Sequence, residues 1–423
     1  MNIVILNDSG TVNGGAAKVA LEEARALAIA GHQVYLVCGA GPVAPDLHDL
    51  PNLTVYCVAE HDILQDPNRL RAITRGLWNQ TSRRCVASLL ASLSPRETVV
   101  HVHNFAKALS SSVVRAALDL GFEVVVTLHD FQLACPTGNL FIHRTQRKCT
   151  LRPMSTACIC TNCDVRNYQT KLWRVARQAI QNRCGRLPNG IKHFAYVSQM
   201  ALDLMRPHLP QGATFYPLPN AIEIGYAPPA NVAANSFFLF LGRLVTEKGP
   251  ELFARAAAAE EVSCRFIGSG AAWEAVAKAN PRAIMSGWMN HADSMEALRG
   301  ARALVFPSLW YETLGLVVLE AAAMGVPSIV ADSCAARESV ADGVTGLHFH
   351  SGEEASLREK IAEMKNEGLA ARMGKAAHDR FWSPPGFGVD LHRKRLESIY
   401  IRVLSRTDAE HKDMDIPAGT YSQ

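Results

Sequence analysis

Short apolar runs recur along the whole chain, each closed by a polar or Gly/Pro turn and followed by apolar positions at helical spacing. Asn2–Leu6, Gln33–Cys38, Leu53–Val58, Val99–His103, Glu123–His129, His193–Ser198 and Thr214–Leu218 read as one series of strands. Phe237–Leu241, Ser263–Ile267, Ala283–Ser286, Ala303–Phe306, Ser328–Ala331 and Gly346–Phe349 read as a second. Ala16–Ala30, Ser112–Leu120, Pro250–Ala258 and Gly315–Met324 carry helical patterns between them. Strands alternating with helices predict α/β parallel sheets covered on both faces. The break falls where Ala227-Pro-Pro-Ala-Asn-Val-Ala-Ala-Asn reads as a linker. The expected layout is a first domain over 1–220, a linker over 221–236 and a second domain over 237–385. A closing helix over 386–407 and a polar, disordered tail over 408–423 would follow. The closing helix, patterned from Leu391 to Leu404, could complete the second domain or pack back on the first. Two doubly wound domains joined in this way leave a cleft at the carboxyl ends of both sheets, where open α/β folds bind ligands.

Composition adds little to this picture; the placement of charge adds more. The 423 residues exceed what one core usually serves, and 48% hydrophobic with 19% charged residues is ordinary globular composition. A net charge of +4 does not by itself suggest nucleic acid. From His143 to Lys192, however, eleven Lys/Arg stand against one acid, Asp164. No apolar run is long enough to span a bilayer. The first residues read as a strand rather than a secretory signal, which points to the cytoplasm and to reduced cysteines.

Three segments carry candidate chemistry. In Phe306-Pro-Ser-Leu-Trp-Tyr-Glu312-Thr-Leu-Gly315-Leu-Val-Val-Leu-Glu320, a strand turns into a helix whose unpaired N–H groups suit a phosphate. Glu312 precedes that helix and Glu320 lies in its apolar body, where a carboxylate needs a hydrogen-bonding partner such as a ribose. Gly242-Arg243-Leu-Val-Thr-Glu247-Lys248-Gly249 follows a strand directly and places two cations where they could clamp a diphosphate. Asn13-Gly14-Gly15-Ala16-Ala17-Lys18 follows the first strand as a glycine loop that is not a dinucleotide fingerprint.

These motifs, with Glu338 and Asp342-Gly343-Val-Thr-Gly346, resemble those of the retaining glycosyltransferases of family four. The likeness is strongest from Phe237 to Phe349. It implies a GT-B fold of two Rossmann-like domains facing a central cleft, and a nucleotide-sugar donor whose sugar is transferred without a bound divalent metal. The roles it implies for catalysis are Arg243 and Lys248 at the departing diphosphate, Glu312 against the donor sugar and His129 at the cleft. For donor binding it implies Gly15 and Gly242, backbone N–H groups of Leu314, Gly315 and Leu316 at the phosphates, Glu320 at the ribose and Trp288 near the base. Asp-x-Asp at a strand end, the usual metal-diphosphate signature, is missing, since Asp413-Met-Asp415 lies in the tail. His101 and His103 end a neighbouring strand and read as structural.

Cys135, Cys149, Cys158, Cys160 and Cys163 cluster within one segment of the first domain, about 131–165. Cys160-Thr-Asn-Cys163 has metal-knuckle spacing, so Cys135, Cys149, Cys160 and Cys163 are a candidate structural zinc set, with Cys158 an alternative ligand. Next along the chain, Lys171, Arg174 and Arg177 recur at helical spacing among apolar residues. They suggest either a solvated face or a cationic helix lying on an anionic membrane.

The leading reading is a glycosyltransferase moving a sugar to a glycan or lipid-linked acceptor in surface-polysaccharide biosynthesis. It would be cytoplasmic or peripheral on the inner membrane face, with no cofactor for catalysis. A GT-B-like epimerase or phosphorylase is the alternative among enzymes. A zinc-containing nucleic-acid-binding protein on an α/β scaffold is the alternative of another class, disfavoured because only Tyr168 and Trp173 accompany the basic run.

Overall fold

The structure, a computed structural model, describes residues 1–59, 61–383 and 387–414, with side chains of the last helix described as far as Ser405. The expected strands form. In chain order they are β1 (Asn2–Ser9), β2 (Gln33–Ala40), β3 (Leu53–Cys57), β4 (Thr98–Val102), β5 (Glu123–Leu128), β6 (Phe141–Ile142), β7 (Arg147–Lys148), β8 (His193–Tyr196) and β9 (Thr214–Pro217). The second series is β10 (Phe237–Leu241), β11 (Ser263–Ile267), β12 (Ile284–Gly287), β13 (Ala303–Phe306), β14 (Ser328–Ala331) and β15 (Gly346–Phe349).

The first sheet runs β3-β2-β1-β4-β5-β8-β9 and the second β12-β11-β10-β13-β14-β15, with every adjacent pair parallel. Both are doubly wound, and in both the order reverses beside the first strand. Ligands of such sheets bind at that reversal, beyond the strand carboxyl ends. The glycine loop after β1, Gly242–Gly249 after β10 and Pro307–Gly315 after β13 all start there.

Central strands are buried on both faces, which explains their near-continuous apolar sequence. Ile3, Val4, Ile5 and Leu6 of β1 are wholly buried. The second-domain core centres on Phe238, Phe240, Phe253, Phe266, Leu304 and Ile329.

The final helix, Val389–Met414, packs back on the first domain. Leu396, Ile399, Tyr400 and Val403 share a core with Ile3, Ile5, Leu21 and Leu36. It continues past Asp408, where the sequence suggested a polar tail, as far as Met414. The rest of the expected tail, 415–423, lies outside the described residues. Among the described residues, no helix is long and apolar enough to cross a membrane.

Candidate active site

The cleft is built from loop ends that only small residues can bring together. Gly249 adopts φ 67°, ψ 26°, and a Cβ there would stand 2.0 Å from the Pro307 carbonyl oxygen. Glycine at this position therefore lets the β10 loop lie against the turn after β13. Leu309 N–H donates to the Glu247 carbonyl at 2.9 Å and fastens the two loops.

Lys248 and Glu312 meet as a result, with Lys248 Nζ 3.1 Å from Glu312 Oε1. The other carboxylate oxygen accepts from Ser308 Oγ and from Trp310 Nε1, each at 3.0 Å. Burial alone would raise the Glu312 carboxyl. The adjacent Lys248 ammonium and the Trp310 and Ser308 hydrogen bonds outweigh that effect and hold it below the ordinary carboxylate value. Glu312 is thus an ionised, oriented acceptor. Arg243 is exposed on the same loop as Lys248, and no hydrogen bond or ion pair engages its guanidinium among the described residues.

The helix Leu316–Ala323 begins beside this pair. Gly315, at φ 140°, is its N-cap, with no side chain capping the helix. Among the described residues no acceptor meets the backbone N–H of Leu314, Gly315 or Leu316. Lys248, Arg243 and this open helix end together form a place for an anion with more than one negative charge.

The first domain closes over the same point. A Cβ on Gly15 would stand 3.3 Å from Leu316 Cδ1, so the glycine loop faces the helix start across the cleft. Lys18, the last residue of that motif, places its Nζ 3.7 Å from Glu320 Oε1. Glu320 is buried as expected, and in this conformation its partner is a first-domain lysine. Thr313 Oγ1 donates to the His129 carbonyl at 2.8 Å, and Ser198 Oγ donates to the Thr313 carbonyl at 2.6 Å. The N–H groups of Gln199 and Met200 donate to Glu338 at 3.0 and 2.7 Å. His129 lies at this seam. Burial holds its ring well below the ordinary imidazole value, so it is neutral. Trp288, just beyond β12, is 77% exposed.

The basic helix and the cysteine segment differ from expectation. In the helix Tyr168–Arg183, Lys171 is fully buried. Arg177 donates to the carbonyls of Ala106 and Pro136 at 3.1 Å each. Arg174 pairs with Asp164 at 2.8 Å. None of these three is a solvated cation, because each satisfies carbonyls, a carboxylate or sulfurs inside the first domain. The membrane or nucleic-acid face expected of them is therefore not formed by them.

The four-thiolate set Cys135, Cys149, Cys160 and Cys163 is not assembled either. Thr156–Cys160 is a helical turn, which points residues two apart to nearly opposite sides. Cys158 is consequently buried and Cys160 exposed. The Lys171 ammonium stands among the sulfurs, 3.2 Å from Cys163 Sγ and 3.6 Å from Cys158 Sγ. Among the described residues these sulfurs do not gather at metal-ligand distances.

Two family profiles match the chain almost end to end. Glycosyltransferase Family 4 covers residues 13–220, and Glycosyl transferases group 1 covers 229–380. The chain belongs to the group 1, family 4 glycosyltransferases. The family's GT-B fold is seen in solved structures along nearly the whole chain. Sucrose-phosphate synthase from Thermosynechococcus elongatus aligns with TM-score 0.71 at 16% identity, over 96% of this chain and 99% of that one. Anabaena HepE in complex with UDP and glucose aligns with TM-score 0.65 at 16% identity, over 95% and 100%. Sequence relatives match over shorter stretches. A GDP-mannose-dependent alpha-mannosyltransferase of Mycolicibacterium smegmatis is 32% identical over 148 residues, 34% of this chain and 39% of the relative. A glycogen synthase of Mycobacterium tuberculosis is 35% identical over 98 residues, 23% of each chain. The match thus spans less than half of these curated relatives.

The sequence singled out Arg243, Lys248, Glu312 and Glu320, of which Lys248 and Glu312 meet directly, but gave no role to Ser308, Trp310 or Lys18. Ser308 and Trp310 stand within the motif, and their spacing from Glu312 was the available signal. Lys18 could not be found in this way, because its partner lies in the other domain.

Proposed function

We propose that this group 1 glycosyltransferase moves a sugar from a nucleoside-diphosphate sugar to a glycan or lipid-linked acceptor with retention of anomeric configuration. The observation carrying the reading is the Lys248–Glu312 pair, set between free Arg243 and an uncapped helix end. A diphosphate entering there meets two cations and three N–H groups. Lys248 can then shift its charge from Glu312 toward the leaving oxygen as negative charge grows on it, the stage at which electrostatic help accelerates the reaction. Glu312, released from Lys248 but still held by Ser308 and Trp310, turns its freed oxygen to the sugar hydroxyls. Glu320 exchanges Lys18 for the ribose, and Trp288 is available to the base. With cations of the chain at the diphosphate, the transfer needs no divalent metal. HepE was solved with UDP, and the mycobacterial relative is named for GDP-mannose, so both nucleotide classes belong in the first test. A thermal-shift screen against UDP-, GDP-, ADP- and TDP-sugars should give one clear stabilisation. NMR of the product anomer then separates retention from inversion, and transfer from epimerisation. A screen in which no nucleotide sugar stabilises the protein would overturn the proposal.

A peripheral membrane site fits a different helix from the one the sequence suggested. On Arg69–Leu77, Leu70 is 77% and Ile73 43% exposed beside exposed Arg69 and Arg71. Gly76 of this helix packs on Trp173, whose neighbour Leu172 is 43% exposed. Exposed apolar side chains beside Arg69 suit an anionic lipid surface, where a lipid-linked acceptor would be reached, while Arg71 is engaged by Asp66 at 2.7 and 2.8 Å. Leu70→Asp should abolish co-sedimentation with phosphatidylglycerol vesicles. Equal binding by wild type to neutral phosphatidylcholine vesicles, or undiminished binding by the variant, would exclude this surface.

A further inference from the structure

Behind His129 lies a buried row of titratable side chains contributed by four distant parts of the chain. His129 Nε2 is 2.8 Å from His103 Nδ1. His103 Nε2 approaches Glu23 Oε2 to 3.2 Å, obliquely, without full hydrogen-bond alignment. Glu23 Oε1 is 2.8 Å from His392 Nε2, and His392 Nδ1 is 2.8 Å from the Pro219 carbonyl oxygen. A side branch runs from Glu23 Oε2 to His101 Nδ1 at 3.3 Å, and the same nitrogen is 2.7 Å from the Tyr400 hydroxyl. His101 Nε2 meets Thr127 Oγ1 at 2.7 Å. Glu23, His101, His103, His392 and Tyr400 are all buried.

Proton positions follow from which partners can only accept. His392 sits between a backbone carbonyl and a carboxylate, both acceptors, so each of its ring nitrogens carries a proton and the ring is an imidazolium. The direction of its titration agrees: burial would lower it, but Glu23 outweighs burial and raises it. Glu23 is ionised; burial opposes this, but the surrounding His103, His101 and His392 draw its carboxyl well below the ordinary value. One carboxylate neutralises one imidazolium, and a second cation in the same buried row would have no counter-charge. His103 is therefore neutral. Its single proton lies on Nε2, facing Glu23, because a bare nitrogen there would repel the carboxylate. His103 Nδ1 is then an acceptor, so His129 Nε2 must donate to it. The neutral His129 ring keeps its lone pair on Nδ1.

His101 is satisfied separately. By the same rule its Nδ1, 3.3 Å from Glu23 Oε2, carries the proton, with the Tyr400 oxygen also within reach of it, and Nε2 accepts from the Thr127 hydroxyl. The side branch therefore leaves the assignment along the main row unchanged.

We propose that Glu23 and His392 are positioning residues for the donor site, acting through His103 to hold His129 in the Nε2–H form with Nδ1 as its acceptor. The tautomer assignment rests on these distances and on the charge balance around Glu23; its use, accepting a hydroxyl of the donor sugar, rests on the function proposed above. The logic is that of a carboxylate fixing the ring proton of a histidine that works one step away. Here the row is one histidine longer, and its far end belongs to the helix that crosses back from the second domain. Loss of that end would leave Glu23 without its imidazolium, and the proton on His103 would no longer be dictated.

The test uses the full-length protein with 15N-labelled histidine and two-bond proton–nitrogen correlation spectra at neutral pH. Signals are assigned by their loss in His103→Gln, His129→Gln and His392→Gln. Wild type should show both nitrogens of His392 protonated, and Nε2 alone protonated in His103 and His129. Glu23→Gln should remove the second proton of His392 and mix the two tautomers of His129. With whichever of UDP-glucose, GDP-mannose, ADP-glucose or TDP-glucose is turned over, its kcat/KM should fall by about tenfold or more. Nδ1–H on His129 in wild type would overturn the proposal, and so would a Glu23→Gln spectrum in which His129 is unchanged. One equivalent of a divalent metal bound by Glu23 and His103 would also overturn it, because the metal would take the nitrogen that must carry the proton. If Glu23→Gln does not fold, the wild-type spectrum alone decides. The spectra need no donor, so the predicted tautomers in a protein inert toward every nucleotide sugar would sink the functional reading and leave this one intact.

Discussion

Two stretches of this chain read alike as sequence and are used in opposite ways. After β10, Arg243 and Lys248 stand at a loop end; one is free and the other is held by a carboxylate it can leave. In the helix Tyr168–Arg183, Lys171, Arg174 and Arg177 look more strongly cationic, yet each turns inward to carbonyls, sulfur or Asp164. The difference lies in what surrounds each cation. A loop at the carboxyl end of a central strand has little covering it, so its charge faces the cleft. A helix laid over an irregular, cysteine-rich segment meets backbone carbonyls with no ladder partner, and its cations are drawn in to satisfy them. Charge density in a sequence therefore says less about function than the backbone that must be bonded nearby.

The contrast can be broken at several points. The largest effect should come from Lys248→Ala, which removes the charge that follows the leaving diphosphate. Turnover should fall on the order of a hundredfold in steady-state assays, with Arg243→Ala in the same direction and little change in Tm. A near-normal rate for Lys248→Ala would contradict its role.

Arg177→Ala should do the reverse. It leaves the carbonyls of Ala106 and Pro136 without a donor and should cost about 2–3 kcal/mol by urea denaturation, while the folded fraction keeps its turnover. Loss of activity at unchanged stability would return Arg177 to the list of functional cations.

Glu320→Gln should weaken nucleotide binding by about tenfold in calorimetry, a ribose contact being worth about 1.4 kcal/mol, and should barely shift Tm. Lys18→Ala should have a much smaller effect, since a partly exposed pair at 3.7 Å contributes under about 1 kcal/mol.

The smallest effect separates two cysteines. Cys163→Ala should lower Tm by a few degrees, because Lys171 loses its nearest sulfur, whereas Cys160→Ala should be silent. Equal sensitivity at both positions would restore the four-thiolate set that the sequence suggested.

The fold was legible because doubly wound sheets write themselves locally: a buried strand is a short apolar run, and the chain must turn after it. The second-domain half of the site was legible for a related reason. Gly249, Glu312, Gly315 and Glu320 belong to two short segments whose spacing reflects one turn and one helix end. What escaped notice joins distant positions. Glu23 reads as an ordinary helix residue and His392 as a polar residue on a terminal helix, and nothing in either neighbourhood reveals that they touch across 369 positions. The short β6–β7 hairpin escaped because two-residue strands have no period to detect. Cys158 and Cys160 were ranked by knuckle spacing, and a single helical turn reversed which of them faces inward.

The crossing helix also orders events during synthesis. Its residues Leu396, Ile399, Tyr400 and Val403 complete the core beneath β1, which leaves the ribosome long before them. The second domain, whose core is drawn from Val232 to Met373, has all its parts once those residues have emerged. The domain translated earlier is thus finished after the later one, and must wait with an apolar surface uncovered until the crossing helix has emerged.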